Sequence, residues 1–199
     1  MKPPKLPAAY QEVEYIGSTT GGSSAAEYIE IGIYPQLSDA LTIKFQATGD
    51  YSGDAIRPLG AYTPGVEIDG YRGLRLWTNS AIDFGGGNIN IADGNIHTMS
   101  CSDVGAWEYD GTAILTGNPI QTQQSISIVL FKARYLNRVL YGNGTLRIYE
   151  FKYYRNGAAI CSLVPCYRKS DNVIGMYDLV TNTFFTNAGT GTFEKGNNV

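Results

Sequence analysis

Apolar and polar residues alternate with a period of two along much of this chain. Leu41, Ile43, Phe45 and Ala47 alternate with Thr42, Lys44, Gln46 and Thr48. Successive side chains on a strand point to opposite faces, so this run reads as a half-buried strand. Ile29, Ile31 and Ile33 alternate with Glu30 and Gly32, and Leu74 and Leu76 with Arg75 and Trp77. Ile126, Ile128 and Leu130 alternate with Ser125, Ser127 and Val129. Ile89 and Ile91 follow the Gly85-Gly86-Gly87 stretch. Asp110-Gly111 and Asn156-Gly157 mark two-residue hairpins, because a type I′ turn needs positive φ at both central positions. Gly142-Asn143-Gly144 and Thr181-Asn182 are weaker turn signals. No segment carries a 3.6-residue apolar stripe, and only Tyr135–Leu140 is expected to form a short helical turn. About a dozen short strands at this spacing predict an all-β fold, a two-sheet antiparallel jelly-roll sandwich.

The C-terminal third sharpens that expectation. Tyr149, Phe151 and Tyr153 alternate with Ile148, Glu150, Lys152 and Tyr154, so those three rings are expected to supply one core face. Pro165 fits an edge or a bulge, since proline cannot donate to a ladder. Asn187-Ala-Gly-Thr-Gly191 reads as a turn that leads a last strand back to pair near Tyr15–Thr19. Residues 1–9, with three Pro and two Lys, read as an extended leader. Residues 10–199 show no linker, charge block or repeat and read as one sandwich domain.

Composition agrees and narrows the function classes. The 199 residues include 24 Gly and 15 Tyr, a turn-rich and sheet-compatible balance. The net charge of −3 offers no basic stripe to neutralise phosphates, which argues against a nucleic-acid partner. No apolar run approaches the roughly 18 residues of a membrane span. The N-terminus lacks the apolar core of a signal peptide. Three cysteines, Cys101, Cys161 and Cys166, are too few and odd in number for a disulfide framework. Cys161 and Cys166 have opposite parity, and buried free thiols made in a reducing cytoplasm are expected.

Two ends of the chain carry a family likeness. At the start stand Leu6-Pro7, Tyr10-Gln-Glu-Val-Glu-Tyr-Ile-Gly-Ser-Thr19 and Glu27-Tyr-Ile-Glu-Ile-Gly-Ile33. At the close stand Arg147-Ile-Tyr-Glu-Phe-Lys152, Leu163-Val-Pro-Cys-Tyr-Arg-Lys-Ser-Asp171, Ile174-Gly-Met-Tyr-Asp-Leu179 and Phe185-Thr-Asn-Ala-Gly-Thr-Gly-Thr-Phe193. These segments resemble concanavalin A-like (laminin-G-like) jelly-roll modules of phage tail and fibre proteins and of gut bacterial surface proteins. Residues of about 50–125 match only in outline, in the His97 strand, the Trp107-Glu-Tyr-Asp-Gly111 hairpin and the run from Leu130. The resemblance implies glycan recognition or adhesion, although a fold alone does not establish a function. Such modules usually sit inside longer proteins, and a chain that starts at Met1 favours a small protein attached to something larger.

The candidate chemistry is sparse. Glu67 and Asp69 share parity, but a glycosidase needs a complete carboxylate pair, and the next acidic position falls near Arg72. His97 is the only histidine, no nucleophile elbow accompanies it, and a structural role is expected. No further ligands stand at zinc spacing around it. Asp50, Asp54, Asp83, Asp93 and Asp103 form no calcium loop, so no metal and no cofactor are expected. Trp107 and Tyr109 precede a hairpin turn and read as core. Trp77 lies opposite Leu74 and Leu76, on the polar side with Arg75 and Asn79. An exposed indole beside hydrogen-bonding groups suits a sugar face, and Tyr71 and Arg72 extend that surface.

The expected function is therefore that of a non-enzymatic phage virion surface protein with a lectin-like fold. It would decorate the particle as a homo-oligomer, contact other virion proteins through residues 1–9, and adhere to host or environmental glycans. Its location would be the virion surface or the extracellular space. A bacterial surface carbohydrate-binding module and a polysaccharide-degrading glycoside hydrolase are the alternatives.

Overall fold

A computed structural model describes residues 5–18, 27–36, 39–49, 58–64, 71–75, 93–102, 106–116, 125–135, 138–140 and 144–199. Among these residues there is no helix, and seventeen strands form two sheets. The strands are β1 (Tyr10–Glu12), β2 (Ile16–Ser18), β3 (Ile29–Glu30), β4 (Ala40–Thr48), β5 (Leu59–Pro64), β6 (Tyr71–Arg75), β7 (Asp93–Cys101), β8 (Ala106–Tyr109) and β9 (Thr112–Thr116). They continue as β10 (Val129–Leu130), β11 (Ala133–Tyr135), β12 (Arg138–Leu140), β13 (Thr145–Arg155), β14 (Ala158–Arg168), β15 (Ile174–Asp178), β16 (Thr183–Thr186) and β17 (Glu194–Lys195).

The larger sheet has eleven strands and runs β16-β15-β14-β13-β4-β7-β8-β9, with β1 on β14, β2 on β13 and β17 on β2. The smaller has six strands and runs β12-β11-β5-β10-β3, with β6 on β5. This is the all-β antiparallel sandwich that the alternation predicts, compatible with a jelly-roll. One pair departs from it: β11 runs parallel to β5, with Arg134 opposite Ala61. Parallel neighbours need a long connection, which the chain between β5 and β11 provides. The expected helical turn at Tyr135–Leu140 is not formed. Arg138–Leu140 is a strand, paired antiparallel to β11 with Ala133 opposite Leu140. A run rich in tyrosine, valine and leucine, with no apolar stripe, gains more from cross-strand packing than from an isolated helical turn.

The core fills from both sheets. Leu41, Ile43, Phe45 and Ala47 of β4 point inward as their alternation predicts, and Ile29, Leu59, Ala61 and Leu130 of the smaller sheet join them. Trp107 is fully buried, in keeping with a core role. Phe131 reaches the core by an unusual route. Its φ of 71° lies in the left-handed region, and its ring meets Phe193 at 4.8 Å.

β13 corrects one sequence expectation. Ile148 pairs with Phe45, but the next pair on β4 is Glu150 with Lys44, which leaves Tyr149 as an extra residue. This bulge shifts the inward phase from Leu146 and Ile148 to Phe151 and Tyr153. Phe151 and Tyr153 are core residues as expected, whereas Tyr149 is only partly buried, and its hydroxyl bonds outward-facing Gln46 of β4.

The turns follow their residues. Asp110 and Gly111 have φ of 50° and 76°, and Asn156 and Gly157 have 50° and 74°, as type I′ hairpins require. Pro165 faces β1, where its carbonyl accepts the Val13 N–H at 3.1 Å. It sits where β14 leaves β13 and takes up β1, so its missing N–H interrupts no continuous ladder. The last strand returns as expected, with Glu194 opposite Gly17 and Lys195 opposite Ile16. Pro7 begins a turn that accepts the Tyr10 N–H, and Ala9 accepts that of Lys169.

All three cysteines are buried thiols outside any disulfide. Cys161 follows the inward line of Leu163, and Cys166 lies on the opposite parity but is covered as well. Burial pushes the Cys161 thiol up, reinforced by Asp178, and raises Cys166 to about 12. Neither is a ready nucleophile at neutral pH.

A buried ion pair ties the hairpin end of β13 to the approach to β4. Asp39, 1% exposed, accepts Arg155 Nε at 3.0 Å and Nη2 at 2.8 Å, and the Gln36 N–H at 2.9 Å. Removing one partner strands a buried charge. Arg155→Ala should therefore cost about 3 kcal/mol in urea denaturation, and Arg155→Lys should recover part of it. An alanine variant as stable as the parent would contradict this role.

Candidate functional site

The closing strand creates a surface cleft among the described residues. β17 adds to β2, and the chain beyond it runs antiparallel to the start: Gly196 N–H donates to Tyr15 O at 3.0 Å, Glu14 N–H to Asn197 O at 3.0 Å, and Val199 N–H to Glu12 O at 3.1 Å. A cleft of about 490 Å³ is lined by residues of both segments, Glu14, Tyr15, Lys195, Gly196, Asn197 and Asn198.

Two glycines make this close approach possible. A Cβ on Gly196 would stand 2.9 Å from both Glu14 Cβ and the Tyr15 ring. A Cβ on Gly17 would stand 2.8 Å from Glu194 Oε1 and 3.2 Å from Arg147 Cγ. Without side chains there, Tyr15 lies against the closing segment and Glu194 crosses to Arg147.

The residues beside the cleft form one network on the outer face of the larger sheet. Arg147 donates from Nε to Glu194 Oε1 at 3.1 Å and from Nη1 to Gln46 Oε1 at 3.3 Å. Its guanidinium lies 4.5 Å over the Tyr15 ring, a cation–π contact that fixes the ring from one side. Burial works against the Arg147 charge, but Glu194, with Tyr15 and Tyr149, together outweigh it and the guanidinium is held more firmly charged. The Tyr149 ring stands 5.4 Å from Tyr15, and its hydroxyl donates to Gln46 Oε1 at 3.2 Å. Partial burial pushes the Tyr149 phenol up, against the pull of Arg147, so it remains a neutral donor. Lys195 lies 5.0 Å over Tyr167, and Lys44 5.9 Å over Tyr149.

Polar groups line the cleft. Glu14 Oε2 accepts both the backbone N–H and the side-chain amide of Asn197, each at 3.1 Å. Carboxylate, amide and ammonium groups thus converge beside an aromatic ring. That chemistry suits a polyhydroxylated ligand, whose hydroxyls take directional bonds and whose C–H faces contact the ring.

Of the residues that the sequence singles out, three are placed in the smaller sheet. Tyr71, Arg72 and Arg75 fall on β6, described by its backbone, opposite Pro64, Thr63 and Gly60 of β5 in the smaller sheet. Trp77 and Asn79 lie outside the described residues, as do Glu67, Asp69, Gly85–Gly87, Asp50, Asp54, Asp83 and Asp103. Asp93 is described, and it bonds Asn95 and His97. His97 has both ring nitrogens engaged by carboxylates, which leaves none to activate a nucleophile. Among the described residues no group of three or more His, Cys, Asp and Glu is placed to hold a metal ion. Sequence reasoning missed the Tyr15 cleft because its two halves lie at opposite ends of the chain. The sequence sign of it was the expected return of the last strand to Tyr15–Thr19.

Gly196→Ala should displace Tyr15 from the closing segment and cost about 1–3 kcal/mol, the usual range for overpacking. Thermal unfolding and the Tyr15 ring resonances check this; an unchanged ring environment would contradict the close contact. No protein-family model, curated protein or solved structure matches this chain.

Proposed function

We propose that this protein is a non-enzymatic recognition module that binds surface glycans through the Tyr15 cleft. Its setting is the surface of a phage virion, and its scaffold is a lectin-like, concanavalin A-type jelly-roll. The observation that carries the glycan reading is the convergence of Glu14, Asn197, Asn198 and Lys195 beside the Tyr15 ring in an open cleft. Binding rather than cleavage is favoured by the lining itself. Glu14 is the one carboxylate among the described residues that form the cleft, whereas glycoside hydrolysis ordinarily uses two. The virion setting rests on the resemblance of both chain ends to modules of phage tail and fibre proteins. Contact with other particle proteins through residues 1–9, and assembly as a homo-oligomer, belong to the same proposal.

Glycan-array screening followed by calorimetry tests the binding. Tyr15→Ala should weaken the best ligand by about tenfold or more, on the order of 1.4 kcal/mol. Trp77→Ala in parallel separates the two candidate sites: loss with Trp77→Ala alone moves the site to the surroundings of Trp77, and no glycan binding by the parent protein overturns the proposal. Immunogold labelling of intact particles tests the setting, and an unlabelled particle surface would contradict it.

A further inference from the structure

We propose that His97 is a protonation-dependent staple that fastens the first residue of β7 to the β8–β9 turn, so that this edge of the larger sheet loosens when the imidazolium loses its proton.

The geometry demands a charged ring. His97 Nδ1 lies 2.8 Å from Asp110 Oδ2, and Nε2 lies 2.9 Å from Asp93 Oδ1. Ionised carboxylates only accept, so both ring nitrogens must donate, which only the imidazolium does. The neutral ring has one N–H. Its loss turns one of the two bonds into a lone pair facing a carboxylate.

Both carboxylates are placed by backbone devices. Residues four apart on a regular strand stand about 13 Å apart and do not meet. Here β7 carries a bulge: Gln46 pairs with Ile96, but Thr48 pairs with Asp93, one residue further on than regular pairing allows. Gly94 adopts φ 84°, and its carbonyl accepts the Gln46 side-chain amide at 2.6 Å. The Asn95 backbone and side-chain N–H groups hold Asp93 at 2.8 and 2.9 Å. The strand start curls so that Asp93 reaches its own i+4 neighbour. On the other side, Asp110 occupies the left-handed first position of the hairpin turn. Its Oδ1 accepts the Thr98 N–H at 2.8 Å, and its own N–H donates to Thr98 O at 2.9 Å.

The surroundings cover the ring, while both carboxylates reach solvent. His97 is 8% exposed, and its ring stacks on Tyr109 of β8 at 4.7 Å and faces Phe45 of β4. Ile43 and Ala47, the inward neighbours of Phe45, are apolar, and Glu108 bonds Ser100 instead. Among the described residues, Asp93 and Asp110 are the charged groups acting on the ring. Burial opposes its charge, but the two carboxylates outweigh burial and raise the histidine above its ordinary 6.5. In return His97, with help from Asn95, holds Asp93 down at about 2. The raised histidine contributes its stability in full below 6.5 and loses it as pH climbs through the folded value. Depressed Asp93 contributes above its ordinary 3.8 and loses that as pH falls toward 2. The staple is strongest between 3.8 and 6.5. What it holds is the end of the sheet, since among the described residues β9 pairs only with β8.

His97 is the sole histidine, so imidazole NMR reports this site alone. The expected result is a titration above 6.5, with both ring nitrogens protonated at pH 5.5 and slow to exchange. Amide exchange at Thr98, Asp110 and Thr112, corrected for intrinsic rates, should rise about tenfold across that titration, while Phe151 and Tyr153 stay protected. In His97→Gln the step at the hairpin should vanish. Should that variant fail to fold, Asp93→Asn provides the second reading, and the His97 titration should fall toward 6.5. A titration at or below the ordinary value, an equal step in His97→Gln, or an unmoved titration in Asp93→Asn would overturn the proposal.

Discussion

One extra residue in β13 governs both faces of the larger sheet. Leu146 and Ile148 point inward, and uninterrupted alternation would send Glu150 and Lys152 inward next. Two charges in an apolar core carry a desolvation cost that no pairing on the inner face offsets. The bulge at Tyr149 changes the phase, so Phe151 and Tyr153 enter the core while Glu150 and Lys152 form an ion pair outside. β13 can carry this shift because it is continuously paired with β4 on one side, while its other side changes partner from β2 to β14 across the bulge.

The same shift equips the outer face. It sets the Tyr149 phenol on Gln46 and its ring near Tyr15. Arg147 then links Tyr15, Glu194 and Gln46 into one network that spans β13, β17, β4 and the residue before β2. The closing strand β17 completes it by bringing residues 194–198 onto the start of the chain. The proposed recognition site is thus a by-product of how the sandwich closes. This explains why its ring and its polar groups come from both termini, and why glycines at 17 and 196 stand where the two segments touch.

Much of this fold was legible in the chain. β4 alternates without a break, and Asp110-Gly111 and Asn156-Gly157 form the turns their chemistry predicts. The bulge was visible only as a conflict. Leu146 and Ile148 share one parity, Phe151 and Tyr153 the other, and only pairing with β4 decides where the phase changes. The β11–β12 hairpin was misread because a short apolar run carries no decisive period. The Tyr15 cleft carries no motif, since pairing of distant segments creates it. His97 was read as structural, but its two carboxylates were hidden: one sits four residues away, a spacing that reaches it only through a bulge at Gly94.

Deletion of Tyr149 tests the central role of the bulge most directly. The shortened strand reads Leu-Arg-Ile-Glu-Phe-Lys-Tyr, an unbroken alternation that keeps Ile148 on Phe45, Glu150 on Lys44 and Phe151 on Ile43. Backbone NMR of the deletion variant should show a folded sandwich with those three pairs intact and with the Tyr15–Gln46 network disrupted. An unfolded chain, or one whose β4–β13 register slips by a residue along its length, would contradict the account.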